Sequence, residues 1–117
     1  MLIEDEPNIA EALCFILSRD GWRVTNVQDG ARAVEVLHAV NPDLVILDVM
    51  LPGVGGFDIL DAIRADPQTA GLPVMILSAK GQGRDREAAK RAGADLFMAK
   101  PFSNAEMLAQ ARALVAK

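Results

Sequence analysis

One cysteine and one histidine among 117 residues leave this chain without two common devices. The single thiol, Cys14, excludes an internal disulfide and suits a reducing cytosol. With His38 as the lone imidazole, there are too few ligands for a zinc site. Cys14 reads instead as a small apolar residue on the buried side of a helix, and His38 as a surface residue. No apolar run approaches the roughly 18 residues needed to span a membrane. The start, Met1-Leu2-Ile3-Glu4, lacks the basic and apolar regions of a secretion signal, so a cytoplasmic location without membrane contact is expected. Positive charge is also scarce, with a formal net charge of −4 at pH 7. Its one concentration, Arg84, Arg86, Lys90 and Arg91, is interrupted by Asp85 and Glu87. That pattern reads as a solvated helix face, and direct nucleic-acid binding by this domain is not expected. A dinucleotide fold would place a glycine fingerprint after its first strand, where this chain has Glu6-Pro7-Asn8-Ile9. There is no P-loop either, and Gly53, Gly55 and Gly56 read as a turn.

What the chain does have is four apolar runs, each stopping at a residue capable of chemistry. Met1-Leu2-Ile3 stops at Glu4-Asp5, and Leu44-Val45-Ile46-Leu47 at Asp48. Val74-Met75-Ile76-Leu77 stops at Ser78, and Leu96-Phe97-Met98-Ala99 at Lys100-Pro101. Continuous apolar runs of this length read as parallel strands buried on both faces. Helical periodicity fills the intervals. Residues 7–20 align Ile9, Leu13, Ile16 and Leu17, with Pro7 in the first turn and Gly21 as the stop. Residues 31–40 align Ala33, Val34, Leu37 and Val40 before Asn41-Pro42. Ile59, Leu60 and Ile63 mark a third helix over 57–65, and Ala88, Ala89 and Ala92 a weakly apolar fourth over 84–92. Ser103-Asn104-Ala105-Glu106 opens the fifth as a capping box, followed by a stripe of Met107, Leu108, Ala111, Leu114 and Val115.

Arg23 to Gln28 is a half-polar strand candidate, suited to a sheet edge. Strict β–α alternation predicts an α/β fold: one domain over residues 1–117, with a doubly wound five-stranded parallel sheet and five helices. The expected strand order is 2-1-3-4-5, a flavodoxin-like three-layer sandwich, which puts the polar second strand at an edge and the first strand beside the third. One detail is awkward. Only three residues precede Glu4, so either the first strand is unusually short or the chain as given begins a little late.

Ligands of open parallel sheets gather at the carboxyl ends of the strands. There Glu4, Asp5 and Asp48 would meet, and three carboxylates within a few ångströms repel one another unless a cation intervenes. A hard divalent ion such as Mg²⁺ suits carboxylate oxygens, water and a phosphoryl group. Lys100 adds a second cation and Ser78 a neutral donor, both able to face phosphoryl oxygens. Asp48, alone at the end of its strand, is the natural nucleophile, and attack on phosphorus would give an acyl phosphate. Taken singly, each residue has a plainer role; Asp5 before Pro7, for example, could cap the first helix. It is the joint occurrence at four strand ends that points to phosphoryl chemistry.

These residues carry a resemblance to the receiver domains of two-component response regulators, along the whole chain. It rests on Leu2-Ile3-Glu4-Asp5-Glu6-Pro7, on Pro42 through Gly53, on Pro73-Val74-Met75-Ile76-Leu77-Ser78-Ala79, and on Gly93-Ala94-Asp95 through Lys100-Pro101-Phe102. The resemblance implies that Asp48 accepts a phosphoryl group from a sensor histidine kinase or a histidine phosphotransfer protein. It implies that Asp5, Asp48 and the backbone carbonyl of Met50 bind Mg²⁺ directly, with Glu4 acting through a metal-bound water. Ser78 matches the switch hydroxyl, and Phe97 the aromatic that turns inward on phosphorylation, here without the hydroxyl of a tyrosine. The Lys100-Pro101 bond matches a cis peptide. A signalling switch is implied rather than a turnover enzyme, with helix four, strand five and helix five as the output face toward a downstream effector domain or protein. A homodimer is allowed, though Leu96 stands where many transcription-factor relatives place a second acid for a charged dimer contact. The competing reading is a receiver-like adaptor that is never phosphorylated. An aspartyl phosphohydrolase would carry a second acid two residues after its nucleophile, where this chain has Met50.

Overall fold

Alternation along the central strands divides the core into two. In the computed structural model, which describes residues 1–48, 55–78, 83–99 and 103–115, Val45 and Leu47 face one side of the sheet and Leu44 and Ile46 the other; Val74 and Ile76 oppose Met75 and Leu77 in the same way. Because both faces are apolar, both need helices over them. The strands are β1 (Leu2–Ile3), β2 (Asn26–Val27), β3 (Val45–Asp48), β4 (Val74–Ser78) and β5 (Leu96–Ala99). They are all parallel and lie in the order β2-β1-β3-β4-β5. The helices are α1 (Pro7–Arg19), α2 (Gly30–Val40), α3 (Gly56–Ala65), α4 (Gly83–Ala92) and α5 (Asn104–Val115). Residues of α1 and α5 close one half of the core; those of α2, α3 and α4 close the other. This is the α/β doubly wound, three-layer architecture expected. No helix among the described residues is long and apolar enough to cross a membrane.

The edge strand β2 is shorter than the six-residue stretch expected, only Asn26–Val27. An edge strand has one neighbour to hold it, and here that neighbour is itself two residues long. β1 is indeed short. Backbone bonds extend its pairing beyond both ends, from Ile46 N to Met1 O (2.9 Å) and from Glu4 N to Val27 O (3.1 Å).

The helices begin and end where local chemistry dictates, within a residue or so of expectation. Asn41 closes α2 in the left-handed conformation (φ 52°) and donates to Leu37 O. Ser103 Oγ accepts from Glu106 N at 3.3 Å, the Ser half of the capping box. Two expected core residues are not core. Val40 is 41% exposed and Val115 37% exposed, each at its helix's last residue. Cys14 is half-buried against the α1–α5 side of the core, and burial pushes its thiol above the usual range.

Among the described residues, two arginine–carboxylate ties lie away from the polar strand ends. Arg64, at the end of α3, donates from Nε to Gly93 O (2.9 Å) and from Nη1 to Ala70 O (3.0 Å) and Leu72 O (2.6 Å). Its Nη2 donates to Asp95 Oδ2 (2.9 Å), which also accepts from Val74 N at 2.8 Å. Gly93 turns the chain at φ 100°, and a Cβ there would stand 3.2 Å from Arg64 Cγ and Nε. The second tie joins α1 to α5. Asp20, the C-cap of α1, accepts from Trp22 Nε1 at 3.0 Å and is paired with the Arg112 guanidinium.

The hydrogen bonds from Arg112 hold the Asp20 carboxyl below its ordinary 3.8. A carboxyl more acidic in the folded than in the unfolded chain stabilises the fold above the unfolded value, and that contribution disappears as pH falls through the folded value. Arg112→Ala is therefore expected to lower the urea midpoint at neutral pH. The gap from the parent chain should close as pH drops below 3.8. A gap that persists in acid would mean that Arg112 acts by packing alone.

Candidate functional site

Register brings the polar strand ends to one edge of the sheet. Ile3 is paired with Leu47, so the next residues, Glu4 and Asp48, stand side by side. Asp48 is paired with Leu77, one residue before Ser78, and Ser78 is paired with Ala99, one residue before Lys100. The described strand ends Glu4, Asp48 and Ser78 thus reach the same rim, near the place where strand order reverses between β1 and β3.

Burial separates this group from the other described polar side chains. Among the described residues, the buried polar or charged side chains are Glu4 (0% exposed), Asp48 (5%) and Ser78 (1%). Asp5 is half-buried beside them. Glu4, Asp5 and Asp48 each place a carboxylate oxygen within 4.8 Å of the others. Two buried acids and a third close by are costly to hold together unless positive charge or donors compensate. Hard oxygen donors in this number match the preference of Mg²⁺. The residues present therefore fit the ion that the chemistry asks for.

The alternative role of Asp5 as a helix cap is corrected by the structure. Glu6 caps α1, its Oε2 accepting from Ile9 N at 2.8 Å. Glu6 N in turn donates to Glu4 Oε2 at 3.3 Å. The acidic triplet thus splits its work, with Glu6 on the helix and Glu4 and Asp5 on the site. Glu6 was not singled out from the sequence, but Pro7 was the available signal: a proline at the first helical position makes the residue before it the cap.

Phe97 is 9% exposed in the α2–α4 half of the core, paired with Ile76 on β4. The guanidinium of Arg86 lies over its ring, 5.0 Å from the centroid. Arg86, Lys90 and Arg91 are all exposed along α4 beside Glu87, as a solvated helix face should be. Met50 and Lys100, expected to contribute a carbonyl and an ammonium, lie outside the described residues, as does the Lys100-Pro101 bond.

Comparison with known proteins agrees with this geometry. A model of the response regulator receiver domain family matches residues 1–112. The chain is 40% identical over 98% of its length to the probable transcriptional regulatory protein TcrX of Mycobacterium tuberculosis, and covers 48% of that protein. It is 36% identical, again over 98% of its length, to the phosphate regulon transcriptional regulatory protein PhoB of Escherichia coli, covering 50%. The chain thus spans about half the length of these curated relatives. Among solved structures it resembles the receiver domain of a sensor histidine kinase from Pseudomonas aeruginosa. The TM-score is 0.91 at 31% identity, over 99% of this chain and 95% of that one. That structure has a magnesium ion coordinated in its active site cleft. The BeF3-activated N-terminal receiver domain of Klebsiella pneumoniae RstA is similar too, with a TM-score of 0.92 at 28% identity over 99% of this chain and 97% of that one.

Proposed function

The chain belongs to the response regulator receiver family of two-component systems, and on that premise we propose that Asp48 is its phospho-acceptor. The observation that carries the reading is the meeting of Glu4, Asp5 and Asp48 at the rim of the sheet, two of them buried. In transfer from a phosphohistidine, a carboxylate oxygen of Asp48 attacks phosphorus. The P–O bond forms as the P–N bond breaks, and the imidazole nitrogen keeps the bonding pair and takes a proton. Asp5, Asp48 and the carbonyl of Met50 would hold Mg²⁺, with Glu4 acting through a water. The ion, when bound, neutralises charge on the phosphoryl group in transfer.

The chain's own residues do the rest. β3 presents Asp48 from a strand paired on both sides, so its carboxylate is held in place rather than searching for the phosphoryl group. Ser78 offers a hydroxyl to one phosphoryl oxygen and Lys100 an ammonium to another. Ser78 ends β4 and Lys100 follows β5 in the chain, so a phosphoryl group on Asp48 would draw on the connections to α4 and α5. Residues 1–117 act as one cytoplasmic receiver unit. Its partners are a histidine kinase or phosphotransfer protein upstream and an effector downstream, with α4, β5 and α5 as the output face.

Intact-mass spectrometry after treatment with acetyl phosphate and Mg²⁺ tests this. A single phosphoryl adduct is expected that needs Mg²⁺, is removed by hydroxylamine, and is absent from Asp48→Asn. A folded, metal-binding chain that takes no phosphoryl group would overturn the reading in favour of an unphosphorylated adaptor.

A further inference from the structure

Helix α4 is held to the sheet by little apolar area. Ala89 is its buried side chain among those described, and Ala88 and Ala92 are half-buried. Alanines bury few carbons, so a helix anchored by them is loosely held. Its carboxyl end is secured separately, where Arg64 takes the carbonyl of Gly93. Toward its amino end, Arg86 precedes Ala89 by three residues and so shares its face. This residue lays its guanidinium over the Phe97 ring, 5.0 Å from the centroid.

A guanidinium within about 6 Å of an aromatic face is attracted to it. The contact is made to a ring packed inward among Ile76 and Ala89, so it favours that inward position to the extent that an outward ring would leave the guanidinium behind. The sheet also sets Phe97 near the proposed phosphoryl site, and the family resemblance implies that its ring turns inward when that site is occupied. Phe97 is paired with Ile76, and two residues further along both strands Ser78 is paired with Ala99. A residue that stabilises the inward ring raises affinity for whatever binds the ring-in state, by the same factor in both directions.

We propose that Arg86 is a positioning residue that latches the Phe97 ring inward, and so sets how readily Asp48 is occupied. The latch rests on the phospho-acceptor reading above. It gives α4 a direct grip on the aromatic that the family resemblance couples to that site, through a side chain that stays exposed while its guanidinium covers the ring.

Beryllofluoride, a phosphoryl mimic, titrated into the Mg²⁺-loaded chain and followed by fluorine NMR provides the test. Arg86→Gln, which keeps the length and removes the charge, is expected to weaken binding about two- to fivefold. In a Phe97→Leu background the same change should have no effect. Phe97→Tyr, which keeps a ring and guards against misfolding of the leucine variant, should retain the full sensitivity to Arg86. Equal losses with and without the ring would overturn the latch, because Arg86 would then act through charge alone; no loss in either background would overturn it as well. Failure of the parent chain to bind beryllofluoride would instead overturn the phospho-acceptor reading, and the latch with it.

Discussion

Asp5→Ala is expected to lose the stabilisation that Mg²⁺ confers and to take up phosphoryl groups from acetyl phosphate about a hundredfold or more slowly. Labour is divided within the Glu4-Asp5-Glu6 triplet. α1 is capped by Glu6, so removing Asp5 leaves its first turn intact. The substitution also removes negative charge from a crowded cluster, so it should not unfold the metal-free chain. What it removes is one of three carboxylates that lie within 4.8 Å of one another. A ligand that binds only the folded state adds stability in proportion to ln(1 + [L]/Kd), about 1.4 kcal/mol at ten times Kd. Thermal unfolding with Mg²⁺ and with a chelator should therefore differ for the parent chain and coincide for Asp5→Ala. A variant that keeps the full Mg²⁺ shift would show that the ion sits elsewhere.

Arg64→Ala should destabilise the fold by about 2–4 kcal/mol, the expected loss for charged hydrogen bonds in a partly exposed setting. One guanidinium satisfies three backbone carbonyls from two separate loops and a carboxylate that also holds the start of β4. Its removal leaves Gly93 O and Leu72 O in part-buried surroundings without their donor, and frees Asp95 of its counter-ion. For a chain of this size, a loss of that order lowers Tm by about 10 °C. Arg64→Lys should recover only part of it, because an ammonium cannot reproduce the planar fork that reaches Gly93, Ala70, Leu72 and Asp95 together. Calorimetry on the two variants decides the point. A drop of under about 1 kcal/mol for Arg64→Ala would mean that water replaces the guanidinium at these carbonyls.

Arg64 also shows where sequence reading reaches its limit. An arginine at the end of a helix, beside Ala65 and Asp66, looks like any solvated cation. Its partners lie 6 to 31 residues away along the chain, and no periodic pattern connects them. Arg86 is a similar case. It was legible as part of a basic helix face, and the ring beneath it as the last-strand aromatic that the resemblance singles out, but their meeting depends on how α4 crosses β5. The cap at Glu6 could have been read from Pro7, yet Asp5 was the residue the sequence offered for that role until the backbone was placed.

The apolar runs, by contrast, carried nearly the whole architecture. Strands β3, β4 and β5 lie where Leu44–Leu47, Val74–Leu77 and Leu96–Ala99 put them, and the strand order followed from one polar edge strand among apolar neighbours. The convergence of Glu4, Asp5, Asp48 and Ser78 followed in turn, since parallel strands in register bring their ends to a common rim. Burial repeats with the period of each element, so a one-dimensional pattern encodes which face turns inward. Which individual charge meets which carbonyl, acid or ring is a pairwise matter of crossing angles and reach. The sequence by itself determined the fold, the strand order and the acidic rim; only the tertiary structure decided that Glu6 caps, that Arg64 clamps and that Arg86 covers Phe97. Contacts between distant residues leave no period behind for a sequence to display.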